Sequence, residues 1–263
     1  MIISHKHKFV FIHNPKVAGS AIRQVLQHLH DDDINFWHQG FLPELDRVVD
    51  LAHLTWRDLL LVRPEVENYE VMVVMRDPYA RFVSAVEECV RQHSIYLGNS
   101  GNLDEWIVEH FDEANFRWNW KYIHLCPQHY FVPSTGTTWL LKHETLSEEW
   151  PSFQEQMATK GVTIADLPQG VRVRPDIPGR LKADNLTEFA LSVINIFYSK
   201  DFQLGYEKRG SPNKIVMGAM DHHERVNCIH SPYLPAPDFM SLTPGEQIAW
   251  TERYGPPHCQ NAE

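Results

Sequence analysis

The chain has 263 residues, 43% hydrophobic and 22% charged, and a formal net charge of −10 at neutral pH, with a sequence pI of about 5.9. That length buries one large core and suits one domain with appendages. The acid excess, without any lysine- or arginine-rich cluster, argues against nucleic acid and against basic attachment to a membrane surface, so an anionic ligand has to be met by local positive charge in a cleft.

Met1 to Lys8 is short and carries His5, Lys6, His7 and Lys8, which does not read as a secretory signal. No apolar stretch approaches the roughly 20 residues that cross a bilayer. Cys89, Cys126, Cys228 and Cys259 are scattered, with no CxxC pattern, and read as reduced thiols. A soluble, cytoplasmic protein is expected; its oligomeric state is not readable.

Phe9-Val10-Phe11-Ile12 has the length and residue types of a buried strand. A turn on Asn14, Pro15, Lys16 and Gly19 follows, and then a helix with Ile22, Val25, Leu26 and Leu29 on one face. Strand, small-residue turn and helix start form an anion site: the free N–H groups of the first helical turn face the loop, and the helix dipole adds positive charge. Lys16 contributes a full charge and Ser20 a hydroxyl. A triphosphate loop needs lysine after its second glycine; here Lys16 precedes Gly19. Ile34 to Trp37 is expected as a strand and Thr55 to Leu61 as a short helix capped by Thr55. Val71 to Met75 is another buried strand, running into Arg76-Asp77-Pro78-Tyr79-Ala80-Arg81-Phe82-Val83-Ser84. Guanidinium offers phosphate a planar, permanently charged fork, and Pro78 suits a first helical turn.

The order Pro15-Lys16-Val17-Ala18-Gly19-Ser20-Ala21 resembles the 5′-phosphosulfate loop of carbohydrate-type sulfotransferases (sulfotransferase family 2-like), which use 3′-phosphoadenosine 5′-phosphosulfate (PAPS). Ala21 departs from it, standing where the family carries a second hydroxyl. Arg76 to Ser84 resembles the Arg-Asn/Asp-Pro-x-x-Arg-x-x-Ser segment with which that family binds the 3′-phosphate, through its first Arg and its Ser. The resemblance implies cofactor contacts from Pro15 to Ala21 and from Arg76 and Ser84, with catalytic roles for Lys16 and His53. Ala52-His53-Leu54-Thr55 is similar to a family segment whose histidine is the general base in several members; imidazole titrates in the useful range. Glu87 and Glu88 remain alternatives, because some relatives use glutamate. Arg81 is read as a structural ion-pair residue, and His13 and His38 as structural.

Leu103 to Phe111 reads as a short amphipathic helix. Phe116 to Tyr130 is aromatic, with Trp118, Trp120, Tyr122 and Tyr130; such clusters stack on rings but are more often core. Cys126 to Tyr130, the strand Trp139 to Lys142 and the step His143-Glu144-Thr145-Leu146 resemble architectural parts of the family. Ile164 to Arg180 is a proline-rich loop, whose Arg172, Arg174 and Arg180 read as solvent-exposed charge or as contacts to an anionic acceptor. Leu186 to Tyr198 is helical, with Leu191, Ile194 and Phe197 on one side, and Tyr198 to Tyr206 resembles the end of the family domain. Lys208-Arg209-Gly210 is similar to a C-terminal phosphate-contacting tripeptide of cytosolic sulfotransferases. His222, His223, Cys228 and His230 have zinc-ligating types at a spacing that matches no zinc module; no metal is expected.

The expected fold is α/β: a P-loop-like three-layer domain over residues 1–206, its central mainly parallel sheet flanked by helices, with an irregular C-terminal extension over 207–263. The expected activity moves a sulfuryl group from PAPS to a hydroxyl or amine of a small-molecule or carbohydrate acceptor, leaving 3′-phosphoadenosine 5′-phosphate (PAP). A nucleotide-dependent kinase of similar fold, a non-catalytic nucleotide-binding or interaction protein and a purely structural protein are the alternatives.

Overall fold

A computed structural model describes residues 1–93, 103–111, 119–134, 136, 138–168 and 181–210. Among these residues the strands are β1 (Ile2–Ser4), β2 (Phe9–Ile12), β3 (Gln39–Leu42), β4 (Arg47–Asp50), β5 (Glu70–Met75) and β6 (Thr138–Lys142). The helices are α1 (Gly19–Leu26), α2 (Trp56–Val62), α3 (Pro78–His93), α4 (Leu103–His110), α5 (Leu146–Thr159), α6 (Glu188–Phe197) and α7 (Ser199–Phe202).

The main sheet has the order β1-β2-β5-β6. β2 and β6 both run parallel to β5, while β1 pairs antiparallel with β2 at the edge. This mixed α/β architecture, a mostly parallel sheet flanked by helices, follows from strands that are apolar on both sides. On one face Val10, Ile12, Val71, Val73 and Met75 pack with Trp56, Leu59 and Val62 of α2. On the other, Phe9, Phe11, Met72 and Val74 meet Ile22 and Leu26 of α1 and Trp150 and Phe153 of α5. A third cluster joins Tyr79 and Phe82 of α3 to Trp106 of α4 and Val193 and Ile194 of α6.

Thr55 caps α2 as expected, its hydroxyl accepting the Asp58 N–H at 3.2 Å. α3 opens at Pro78, with the Asp77 carboxylate accepting the Ala80 N–H at 2.8 Å. Ile34 to Trp37 is not a strand but a run of bends and turns. The Asp32 side chain accepts the Ile34 N–H at 2.7 Å, and the Trp37 N–H returns to the Asn35 carbonyl at 2.8 Å. These local bonds occupy amides that a ladder would need. The hairpin β3–β4 forms instead just beyond it, pairing Gln39 with Asp50. Among the described residues no helix is long and apolar enough to cross a membrane.

Candidate active site

The carboxyl ends of β2 and β5 lie side by side, with Ile12 opposite Val73, and each strand feeds a loop that starts a helix. The first loop bends sharply. Lys16 (φ 66°) and Ala18 (φ 69°) are both left-handed, a conformation costing a non-glycine residue about 1–2 kcal/mol. Such outliers concentrate at ligand clamps, where the surroundings hold them. Ala18 is the N-cap of α1 and no side chain caps the helix, so the first turn keeps donors to offer. The Ala21 N–H already returns to the Ala18 carbonyl at 3.0 Å, so the first-turn amides not claimed by that turn are those at Gly19 and Ser20. Ser20 is exposed, Pro15 and Val17 are buried, and the Val17 side chain belongs to the core; a ligand meets Val17 only through its backbone. Gly19 is required by close approach: a Cβ there would fall 1.9 Å from Cδ2 and Nε2 of the His13 ring.

The two loops are tied together. Arg76 Nη1 donates to the Lys16 carbonyl at 3.0 Å. Gln128, wholly buried, accepts from Asn14 Nδ2 at 3.1 Å and from the Arg76 N–H at 2.9 Å, and donates to the Arg76 carbonyl at 2.8 Å. Asn14 Nδ2 also donates to the Val74 carbonyl at 2.8 Å. The Gln128 N–H is held in turn by the buried Asp201 carboxylate at 2.8 Å. Arg81 differs from the ion-pair expectation. It is 0% exposed and donates to carbonyls: Pro15 at 3.2 Å, His124 at 3.2 Å, and Cys126. Its Nη1 is buried without a hydrogen-bond partner. A guanidinium buried on carbonyls stiffens the loop and leaves its charge behind the bend at Pro15.

Positions 81, 84, 88 and 91 of α3 follow the three-and-four spacing of one helix face. Arg81 reaches Pro15 and Glu88 reaches Lys16, Nζ to Oε2 at 2.8 Å. Ser84 lies between them on the face turned to the first loop. Glu88 also accepts from Arg91, one turn further on.

His53 follows β4 in a short 3₁₀ turn that Asp50 opens by accepting the Ala52 N–H at 3.0 Å. Its Nδ1 donates to the His13 carbonyl at 2.7 Å. That bond fixes the tautomer and makes Nε2 the basic nitrogen. Burial, the largest influence, lowers the His53 pKa below its ordinary value; Asp50 pulls it back up and the Lys16 charge pushes it further down. The Lys16 field therefore reaches the imidazole. His13 is held well below the ordinary value, chiefly by burial and then by His53. It stays neutral, its ring parallel to Trp37 with centroids 5.8 Å apart, in keeping with a structural role. Beside His53 a depression is lined by Arg47, Val49, Asp50, Asp58, Asn119 and Trp120. Donor atoms of Asp50, His53 and His124 lie within 4.8 Å of one another, the one grouping among the described residues with ligand types suited to a cation.

Arg209 packs over the Tyr79 ring, 5.0 Å from its centroid. It pairs with Asp184 at 3.1 Å and lies 3.9 Å from Asp77, which adjoins Arg76. Tyr122 is core, whereas Trp120 faces the depression. His222, His223, Cys228 and His230, the loop arginines 172, 174 and 180, and Trp118 lie outside the described residues. Asn14, Gln128 and Asp201 carry the junction between the loops. All three lie in segments the sequence singled out, Asn14 in the first turn, Gln128 in Cys126 to Tyr130 and Asp201 in Tyr198 to Tyr206, but their junction was not legible, because an amide bridging residues 114 positions apart has no local pattern.

A family model described as the sulfotransferase family matches residues 1–204. Neither the curated proteins nor the solved structures gave a match.

Proposed function

This chain belongs to the sulfotransferase family, and from that premise we propose that it moves the sulfuryl group of PAPS to a hydroxyl or amine of a small-molecule or carbohydrate acceptor. The observation that carries the reading is the contact between its two strand-to-helix loops, Arg76 to the Lys16 carbonyl at 3.0 Å. It supports a reading in which one nucleotide, phosphorylated at its 3′ and 5′ positions, meets both loops. The fit rests on the donor set: a left-handed, uncapped helix start, two cationic side chains, two hydroxyls and the buried Arg81 charge behind them. We read the surrounding fold as P-loop-like, with residues beyond 206 as an extension.

PAPS supplies the sulfuryl group. The amides at Gly19 and Ser20, with the Ser20 hydroxyl and Lys16, hold the 5′-phosphate end; Lys16 offsets the negative charge that grows on its bridging oxygen as the sulfur leaves. Arg76 and Ser84 hold the 3′-phosphate and set the direction of approach. His53 Nε2 takes the proton of the attacking oxygen or nitrogen, with the acceptor seated in the depression lined by Asp50 and Trp120. Glu88 is the weaker candidate base, because Lys16 and Arg91 already occupy its oxygens.

The test is incubation with PAPS and a metabolite extract, followed by mass spectrometry. Products heavier by one SO₃ group, absent with Lys16→Ala, are expected. An extract unchanged in mass, with no PAP formed, would remove the assignment.

A further inference from the structure

The loop chemistry leaves one buried acid unexplained. Glu88 is 4% exposed, and it sits against the lysine that meets the phosphate, where a carboxylate repels the ligand expected there. We infer that Glu88 is the resting-state counter-ion of Lys16, a positioning residue that holds the lysine at the loop and sets the affinity for the 5′-phosphate by competing with it. The inference rests on the nucleotide reading above.

Three features support it. Glu88 Oε2 takes Lys16 Nζ at 2.8 Å, while the other oxygen takes Arg91. The exposures are graded, with side-chain values of 5% for Glu88, 14% for Lys16 and 59% for Arg91. When Lys16 turns to an incoming phosphate, Arg91 stays on the same helix turn, so the carboxylate is not stranded as an unpaired buried charge. The exchange needs only rotations of a flexible four-carbon stem around a compact ammonium, while Arg81 and Gln128 hold the loop backbone in place. No covalent bond changes; one ion pair is traded for another.

Titration calorimetry with adenosine 3′,5′-bisphosphate and with adenosine 3′-phosphate, on wild type, Glu88→Gln and Arg91→Gln, tests the inference. Glu88→Gln keeps the shape and removes the charge. It should bind the bisphosphate about tenfold more tightly, the smaller end of what a hydrogen bond between charged groups is worth, with affinity for the 3′-phosphate unchanged. Arg91→Gln, at a mostly solvated position, should bind the bisphosphate several-fold more weakly, because Glu88 then loses a cation that competes with Lys16 for its charge. A purely structural Glu88 would shift both nucleotides alike. Unchanged or weaker bisphosphate binding by Glu88→Gln, equal shifts for the two nucleotides, or an unaffected Arg91→Gln would each overturn the inference. A wild-type protein that binds neither nucleotide overturns the function reading, and this inference with it; binding by wild type with no split between variants overturns the inference alone.

Discussion

His53, the proposed base, shows how its surroundings tune one side chain. Its Nδ1 is committed to a backbone carbonyl and burial keeps the ring neutral, so Nε2 is available to accept a proton at neutral pH. His53→Ala should retain PAP binding and lose at least ~10²-fold in turnover on the acceptor found by the mass screen. Equal turnover in variant and wild type would remove it from the mechanism. Because its pKa lies below 6.5, kcat/KM should be level above that pH and fall on acidification, as the imidazole becomes protonated; a profile still rising between pH 7 and 8 would point to another base. The same burial bears on stability. His13 and His53 are both depressed in the folded chain, so below about pH 6.5 the unfolded chain binds protons that the fold refuses. Their contribution is complete above that value and is lost as the pH falls. Asp31 and Asp32 are also depressed, held down by backbone N–H groups and by Arg63, but they act only below about 4. Melting temperatures measured from pH 7.5 to 5 should therefore decline before Asp31 or Asp32 titrates, the buried Met1 amine, lowered to about 4, adding to the fall; a flat curve over that window would contradict neutral buried histidines.

At the scale of elements, the loop between β2 and α1 depends on a glycine for a reason other than turn geometry. Gly19 is where the His13 ring crosses the helix start. Gly19→Ala must displace either the ring or the first turn, and with it the His13 carbonyl that orients His53. Nucleotide affinity and turnover should both fall by ten-fold or more, about 1.4 kcal/mol in each, while far-UV circular dichroism stays native; wild-type affinity in Gly19→Ala would show that the contact is relieved without cost. The junction through Gln128 can be tested separately. Gln128→Leu leaves the Arg76 N–H and carbonyl without their side-chain partners, a loss of about 1–3 kcal/mol for each buried group left unsatisfied. Its melting temperature should drop by several degrees, measured by calorimetry; a shift below one degree would mean that the loops are held by other contacts.

For the molecule as a whole, the proposed function asks an acidic chain to capture an anionic nucleotide, and so to concentrate its positive charge. Lys16, Arg76, Arg81 and two uncapped amides do so at one end of the sheet, where β2 and β5 end together. A ligand that binds only the folded state raises apparent stability by mass action, by about 4 kcal/mol at a thousand times its dissociation constant. PAP should therefore raise the melting temperature by several degrees, and the rise should shrink in Lys16→Ala. No shift at millimolar PAP would leave the family membership intact and remove the nucleotide from the reading.

Much of the architecture was legible in the chain. The continuous apolar runs at Phe9 to Ile12 and Val71 to Met75, the Thr55 cap and Pro78 at a helix start are local features, and local propensity decides them. β1, with three residues, and the β3–β4 hairpin carry no period long enough to read, and Ile34 to Trp37 has strand-like residues whose amides Asp32 and Asn35 claim for turns. The meeting of Arg76 with the Lys16 carbonyl, the bridge through Gln128, the carbonyl-bound Arg81 and the pairing of Lys16 with Glu88 depended on tertiary structure. Each joins groups at least 43 residues apart, and such bonds are selected by the packing of the sheet rather than by any neighbour in sequence. Residue types and their order determined the fold class and the family; only the folded backbone decided which charges face one another.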